Sequence, residues 1–271
     1  MKIRLNNSHD VISAYKSADF SFICKKYQDP GTKYAFSVLD GDVITGYYIK
    51  LACYRHLRDL QRQGDNDFPF IYSLTEFNKF LKFVRLVPNV DNLNEKLELM
   101  DWQYFIFSQM FGWFGLDGLP RFTNIVLSMA RSQGKTMIAG ISMNYSFLIE
   151  TIGLSNQDYL ISSLNHDQTM KLYTYVKSMM AKIVENEPFK SLAEEMGLKL
   201  YSREIKALTD SNSIWTISFE SGKFDSKHFR LAVADEVGEL RNDEGISKIT
   251  SGQVNTDGSR FIEISTAYTV P

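Results

Sequence analysis

Residues 125–140, IVLSMARSQGKTMIAG, decide the fold. Ile125 to Leu127 are apolar and mostly β-branched, the composition of a buried strand. A short polar turn follows, and Gly134-Lys135-Thr136 then opens an apolar helix through Met137, Ile138, Ile141 and Met143. Strand, glycine-containing turn and helix N-terminus are the parts of a phosphate cradle, because backbone N–H groups and the positive end of the helix dipole both face an anion. In such a loop Lys135 reaches the β/γ-phosphates and the Thr136 hydroxyl sits on Mg²⁺. Met129 stands where G-x-x-x-x-G-K-[ST] has its first glycine, so the motif needs a second one to carry weight.

The second motif is RLAVADEVGEL, residues 230–240. Leu231 to Ala234 form another apolar strand, ending in Asp235-Glu236. A strand tip is where a Walker B carboxylate holds Mg²⁺ opposite the phosphate loop. A further carboxylate directly after it suits polarising a water for in-line attack on a γ-phosphate. Taken singly, each motif is equally a helix cap or a strand-end acid pair; together they describe a site that hydrolyses ATP.

The composition is that of an ordinary globular chain. The 271 residues are 44% hydrophobic and 23% charged, enough for a large core, and a formal net charge of −2 gives no global signature of nucleic-acid binding. Cys24 and Cys53 form no C-x-x-C, and the four histidines are scattered, which argues against structural zinc and for a reducing compartment. No apolar run reaches membrane-span length, and MKIRLNNSHD has no signal core.

Along the chain, residues 1–41 are mixed, with Asp40-Gly41-Asp42 suited to a helix N-cap. Residues 43–63 read as an amphipathic helix with Ile44, Tyr47, Tyr48, Leu51, Leu57 and Leu60 on one face; Lys50, Arg55, Arg58, Asp59 and Arg62 lie on the other. A second helix, 74–85, starts at the Ser73/Thr75 cap signals and buries Phe77, Phe80, Leu81 and Val84. A third, aromatic-rich, spans 101–112 and carries Gln103, whose amide can pair with an adenine edge. Beyond the 135–150 helix come a strand at 159–162, a Met- and Tyr-rich helix at 166–186 and a strand at 213–219. A final strand at 261–265 leads into Ser265-Thr266-Ala267, a third polar strand tip. Helices alternating with buried strands imply an α/β fold: a mostly parallel sheet, covered on both faces, with ligands beyond the strands' carboxyl ends.

These segments resemble the ATPase (motor) domain of large terminase subunits of tailed bacteriophages. The likeness is carried by YAFSVLDGDVITGYYIKLACYRHLRDL, DWQ, ARSQGKT, VADE and STA. It implies a RecA-like (ASCE) P-loop NTPase, a three-layer sandwich in residues 96–271, preceded by a mainly helical segment, 1–95, packed on the motor. Further implications are residue by residue. Lys135 and Thr136 bind phosphate and Mg²⁺ beside Ser132, Gln133 and Gly134; Asp235 supports the metal and Glu236 activates water. Arg131 stabilises γ-phosphate charge, Gln103 meets adenine, and Ser265 and Thr266 couple hydrolysis to movement. A trans-acting arginine from a neighbouring subunit is also implied, with Arg203, Lys223 and Arg230 as candidates. The partners implied are double-stranded DNA, a portal protein, the small terminase subunit and other copies in a pentameric ring, in the cytoplasm of an infected bacterium. Terminases continue into a nuclease domain; the chain ends at Pro271, so no DNA cleavage is expected. A helicase-like ATPase, a non-catalytic nucleotide-binding scaffold and a small-molecule kinase are the competing readings. Glu236 favours hydrolysis over the scaffold, and no length remains for a helicase's second lobe.

Overall fold

The computed structural model describes residues 4–90, 92–224 and 227–266. The chain clusters into two compact units that interleave in sequence: Met1–Phe80 with Leu99–Phe122, and Leu81–Glu98 with Thr123–Pro271.

The first unit begins with α1 (Ser8–Ser17), α2 (Ser21–Lys26) and α3 (Pro30–Asp40), where the sequence reads as mixed. The helices are too short for a periodicity argument, but the start of α3 is locally encoded. Asp29 accepts from the Thr32 N–H and Pro30 occupies the first turn, where no N–H is missed. Gly41, expected at a helix start, instead ends α3 in the left-handed conformation at φ 96°. Helix α4 (Tyr47–Arg62) begins later than expected, and its buried face keeps Leu57 and Leu60 of the expected set but not its N-terminal members. Ile44 and Tyr48 are 98% and 80% exposed, while Cys53, His56, Leu57, Asp59 and Leu60 are buried. Asp59, assigned to the solvent face by periodicity, accepts from Arg121 at 2.7 Å. The strand β1 (Phe70–Tyr72) leads into α5 (Leu74–Val84), which buries Phe77, Phe80, Phe83 and Val84; Leu81 is only partly covered.

A short antiparallel pair, β2 (Pro88–Asn89) and β3 (Asn92–Lys96), precedes α6 (Asp101–Gly112) and β4 (Trp113–Gly115), which pairs with β1. The aromatic helix packs Phe107 and Phe111 against Phe80, with ring centroids 4.7 and 4.5 Å apart. Gly112 is required there, because a Cβ would lie 2.3 Å from the Tyr72 ring.

The second unit is built on a seven-stranded sheet. Its elements are β5 (Asn124–Ser128), α7 (Lys135–Tyr145), β6 (Asp158–Ser162), α8 (His166–Ile183), α9 (Phe189–Glu195), β7 (Leu198–Leu200), β8 (Glu204–Ala207), β9 (Asn212–Thr216), β10 (Phe229–Asp235), α10 (Glu244–Gln253) and β11 (Arg260–Ser265). The order is β5-β11-β10-β6-β9-β8-β7, parallel from β5 to β9 and antiparallel across β8 and β7. The expected α/β sheet is present, and β7 and β8, short and half-polar, are additions to it. One expectation fails: β5 is the sheet's edge rather than a buried strand, and Val126 is 63% exposed. Helix α7 is buried on nearly every side, and Gly140 admits Met179, whose Sδ would sit 3.3 Å from a Cβ. The methionine stripe of α8 is core, with Met179 and Met180 fully buried beside Ile183.

Candidate active site at the strand tips

Parallel pairing puts the carboxyl ends of β5, β11 and β10 side by side, with Ser265 opposite Ser128 and Asp235 opposite Ile264. The loop after β5 takes positive φ at Ser132 (60°) and Gly134 (79°). Gly134 is the N-cap of α7 and offers no side chain to it, so the first-turn N–H groups have no side-chain acceptor from the cap. Thr136 lies in that first turn, half-buried, while Arg131, Ser132 and Gln133 are exposed on the loop.

Lys135 is 8% exposed, and its ammonium is fully engaged. It donates to the Met129 carbonyl (2.9 Å), the Ala130 carbonyl (3.3 Å) and the Thr266 hydroxyl (3.1 Å). Thr266 in turn donates from its backbone N–H to one oxygen of Glu236 (3.3 Å) and from its hydroxyl to the other (3.4 Å). Residues 131 positions apart in the chain, Lys135 and Thr266, thus meet directly, and Glu236 joins them. The loop carbonyls that hold Lys135 carry no side-chain signal, so the sequence could not announce them.

Glu236 stands at φ 54°, a left-handed conformation that costs a non-glycine residue roughly 1–2 kcal/mol. This sharp turn after β10 brings the Glu236 carboxylate to Thr266 at the tip of β11. The Glu236 N–H donates to Asp235 Oδ1 at 2.9 Å. Burial and the neighbouring Glu236 charge push the Asp235 carboxyl up to about 6, against the Glu236 N–H and the charges of Lys135 and Lys171, which pull it down. Ser163, just past β6, donates to the Asp235 carbonyl at 3.1 Å and steadies the strand tip from its other side. Ser265 accepts from the Gly238 N–H (3.1 Å) while its carbonyl accepts from Met129 (3.2 Å), linking the two motif loops. Ala267 lies outside the described residues.

Gln103 belongs to the other unit. Its side chain is buried and accepts from the Met100 N–H at 2.9 Å, capping the N-terminus of α6. Among the candidate trans arginines, Arg203 is exposed beside β8 and Arg230 donates to the Asp257 carbonyl at 3.2 Å.

No group of three or more His, Cys, Asp or Glu able to hold a metal alone occurs among the described residues. A hydroxyl on Thr136 and a carboxylate on Asp235 nevertheless suit Mg²⁺, which keeps waters and phosphate oxygens in most of its coordination shell.

Comparison with known proteins identifies the family. The family described as "Terminase large subunit, ATPase domain" matches residues 101–269, more than half of the chain. The chain belongs to that family. Terminase ATPase domains are packaging-motor ATPases, and the phosphate loop, the strand-end acids and the β11 tip all fall within the matched residues. Among solved structures, the fold is similar to the large terminase of bacteriophage HK97, at 19% identity and a TM-score of 0.56 over 71% of this chain. The chain spans 38% of the length of that HK97 protein. A mutant of the Thermus phage P74-26 large terminase ATPase domain matches at 12% identity and a TM-score of 0.47, covering 72% of this chain and 71% of that one. The large terminase of a thermophilic bacteriophage, solved in complex with ADP, matches at 14% identity and a TM-score of 0.32 over 53% of this chain and 33% of that one. No curated protein sequence matches. No helix among the described residues is long and apolar enough to cross a membrane.

Proposed function

We propose that this chain is the Mg²⁺-dependent ATP-hydrolysing part of a motor that drives double-stranded viral DNA into a procapsid. The observation that carries it is the direct meeting of Lys135, Thr266 and Glu236 across three adjacent strand tips. In this reading residues 96–271 are the motor core and residues 1–95 its helical accessory.

Lys135 leaves the Met129 and Ala130 carbonyls for phosphate oxygens, and the N–H groups of Ser132, Gln133 and Gly134 wrap the phosphates. Thr136 and Asp235 hold the metal, which supplies positive charge against the phosphate oxygens. Glu236 takes the proton of the attacking water, and Arg131, exposed on the loop, swings onto the γ-phosphate. Ser265 and Thr266 report phosphate occupancy to the rest of the sheet. Gln103 offers its amide to adenine once it gives up the helix cap. The working assembly is a pentameric ring on a portal protein, loaded with DNA by the small terminase subunit in the host cytoplasm, and a neighbour's arginine completes each site. DNA cleavage is assigned to no residue of this chain; metal-dependent nicking by the purified protein would overturn that.

The decisive experiment is nucleotide binding and turnover in purified protein. Lys135→Ala is expected to abolish both. Retained binding in that variant would remove the phosphate loop from the site. Low turnover by the isolated chain fits this reading too, since a trans arginine is worth about 10³-fold or more in related phosphoryl transfer.

A further inference from the structure

In the first unit, four arginines share two carboxylates. Arg55, Arg58 and Arg62 lie at i, i+3 and i+7 on α4, along one stripe of its surface. Arg121, in the chain after β4, reaches the same helix and donates to Asp59 at 2.7 Å. Arg62 lies 3.8 Å from Asp59 and 3.4 Å from Asp67, while Arg58 donates to Gln61 at 2.6 Å. Arg55 is exposed, and among the described residues no hydrogen bond or ion pair engages it. It lies over the Phe122 ring, 5.3 Å from the centroid, and Arg121 lies 4.9 Å from the centre of the same ring. Phe68, Phe70 and Trp113 complete a cage around Arg121, at 5.0, 4.7 and 4.9 Å, and its Nη1 is buried without an acceptor.

Two guanidiniums on one aromatic ring repel each other. Partial desolvation lowers the Arg55 pKa, Asp59 raises it, and the Arg121 charge lowers it again. The ring faces attract these cations but offer no lone pair to their N–H groups. Four positive charges against Asp59 and Asp67 leave a surplus of two, with the Arg55 fork free at the surface. We infer that Arg55, backed by Arg121, is an oxyanion site that takes a phosphate group, supplied as the free ion or as part of a nucleic-acid backbone. The Arg55 fork matches two oxygens of one phosphate. Arg121 adds its charge from within the aromatic cage, where water screens it weakly. The surplus of two favours phosphate over a single carboxylate. This site is separate from the proposed nucleotide site: its residues belong to the first unit and Lys135 to the second.

The test is thermal unfolding of the Lys135→Ala protein against inorganic phosphate at constant ionic strength, so that the phosphate loop contributes nothing. Phosphate also stabilises folded proteins without binding them, so the expected signal is a saturable rise in the midpoint. Adding Arg55→Gln is expected to weaken the apparent phosphate affinity roughly tenfold to a hundredfold, the loss of charge-assisted hydrogen bonds. Arg55→Lys should fall between, keeping the charge without the fork. In phosphate-free chloride the Arg55→Gln midpoint should not drop, because Arg55 sits beside a like charge. A phosphate response that Arg55→Gln leaves intact would overturn the site. So would an equal loss of midpoint in phosphate and in chloride, the mark of a purely structural cation–π contact. Competition by a short DNA duplex in the same Lys135→Ala protein would assign the phosphate to a nucleic-acid backbone, and its absence would assign it to the free ion. An acidic peptide that binds at Arg55 where phosphate does not would replace the phosphate assignment with a carboxylate one and so refute it.

Discussion

At the residue scale the acids after β10 carry opposing demands. Asp235 is partly buried beside Glu236 and titrates near pH 6, so at neutral pH it sits charged where a neutral group would be more stable. The native state therefore binds a proton between pH 6 and the unfolded value of 3.8, and this residue's contribution to stability is lost as pH rises through 6. Asp235→Asn is expected to raise the thermal midpoint of the nucleotide-free protein, by on the order of 1 kcal/mol of stability, while weakening Mg²⁺-nucleotide binding. Isothermal calorimetry and thermal unfolding of the same preparation check both halves. In the wild type, Mg²⁺-ADP affinity should fall as pH drops below about 6, and that pH step should vanish in Asp235→Asn. Glu236 faces a different test: Glu236→Gln is expected to retain binding and lower steady-state turnover roughly 10²-fold or more, the loss of a positioned base.

At the scale of elements, the phosphate-loop helix is held from below as well as above. The chain leaving α7 makes a π-helical turn, Ser146–Glu150, and Glu150 accepts two parallel bonds from Arg260 at the start of β11 (2.8 and 2.9 Å). Burial raises the Glu150 carboxyl, but the Arg260 charge and its hydrogen bonds outweigh that and hold it below the usual range. One strand thus contacts the phosphate-loop helix system at both ends: Arg260 at its start and Thr266 just past its tip. Arg260→Ala leaves the half-buried Glu150 carboxylate with only Ser146 and the Arg230 charge to stabilise it, and is expected to cost up to about 3 kcal/mol in urea unfolding. Replacing both partners by apolar residues of similar volume should cost much less, which separates loss of the pair from loss of packing.

At the scale of the whole molecule, stability against acid is expected to be governed by His56 in the first unit. Its ring is fully buried: Nδ1 accepts from Trp113 (3.1 Å), and Nε2 lies 3.0 Å from the Thr32 hydroxyl, which makes Nε2 the protonated nitrogen of a neutral ring. Burial, with the Arg55 and Arg121 charges, pushes its pKa down to about 3 from 6.5. The unfolded chain therefore binds a proton that the native state refuses, and stability is lost as pH falls from 6.5 towards 3. Between pH 6.5 and 5 the loss is about 2 kcal/mol, at ~1.4 kcal/mol per pH unit per proton. It should appear as a lower urea midpoint at pH 5 than at pH 7, much reduced in His56→Gln; an unchanged pH dependence in that variant would assign the acid sensitivity elsewhere.

Local chemistry alone determined the parts that depend on near neighbours. Gly134-Lys135-Thr136 after an apolar run, Asp235-Glu236 at the end of another and Ser265-Thr266 at a third were legible because strand, turn and helix start are encoded within a few residues. The alternation of such segments was enough to specify a parallel α/β sheet. Only the tertiary structure decided what depends on distant partners. Periodicity assigned Asp59 to solvent, yet Arg121, 62 positions away, draws it inside. The run Ile125–Leu127 looked central, yet β5 lies at the sheet's edge, because strand order is set by crossovers that no single segment records. Gln103 bears an amide suited to a base, and only the structure shows the same amide capping its own helix. The link from Lys135 through Thr266 to Glu236 was invisible for the same reason: hydrogen bonds reach about 3 Å in space, and only folding brings the ends of three separate strands that close.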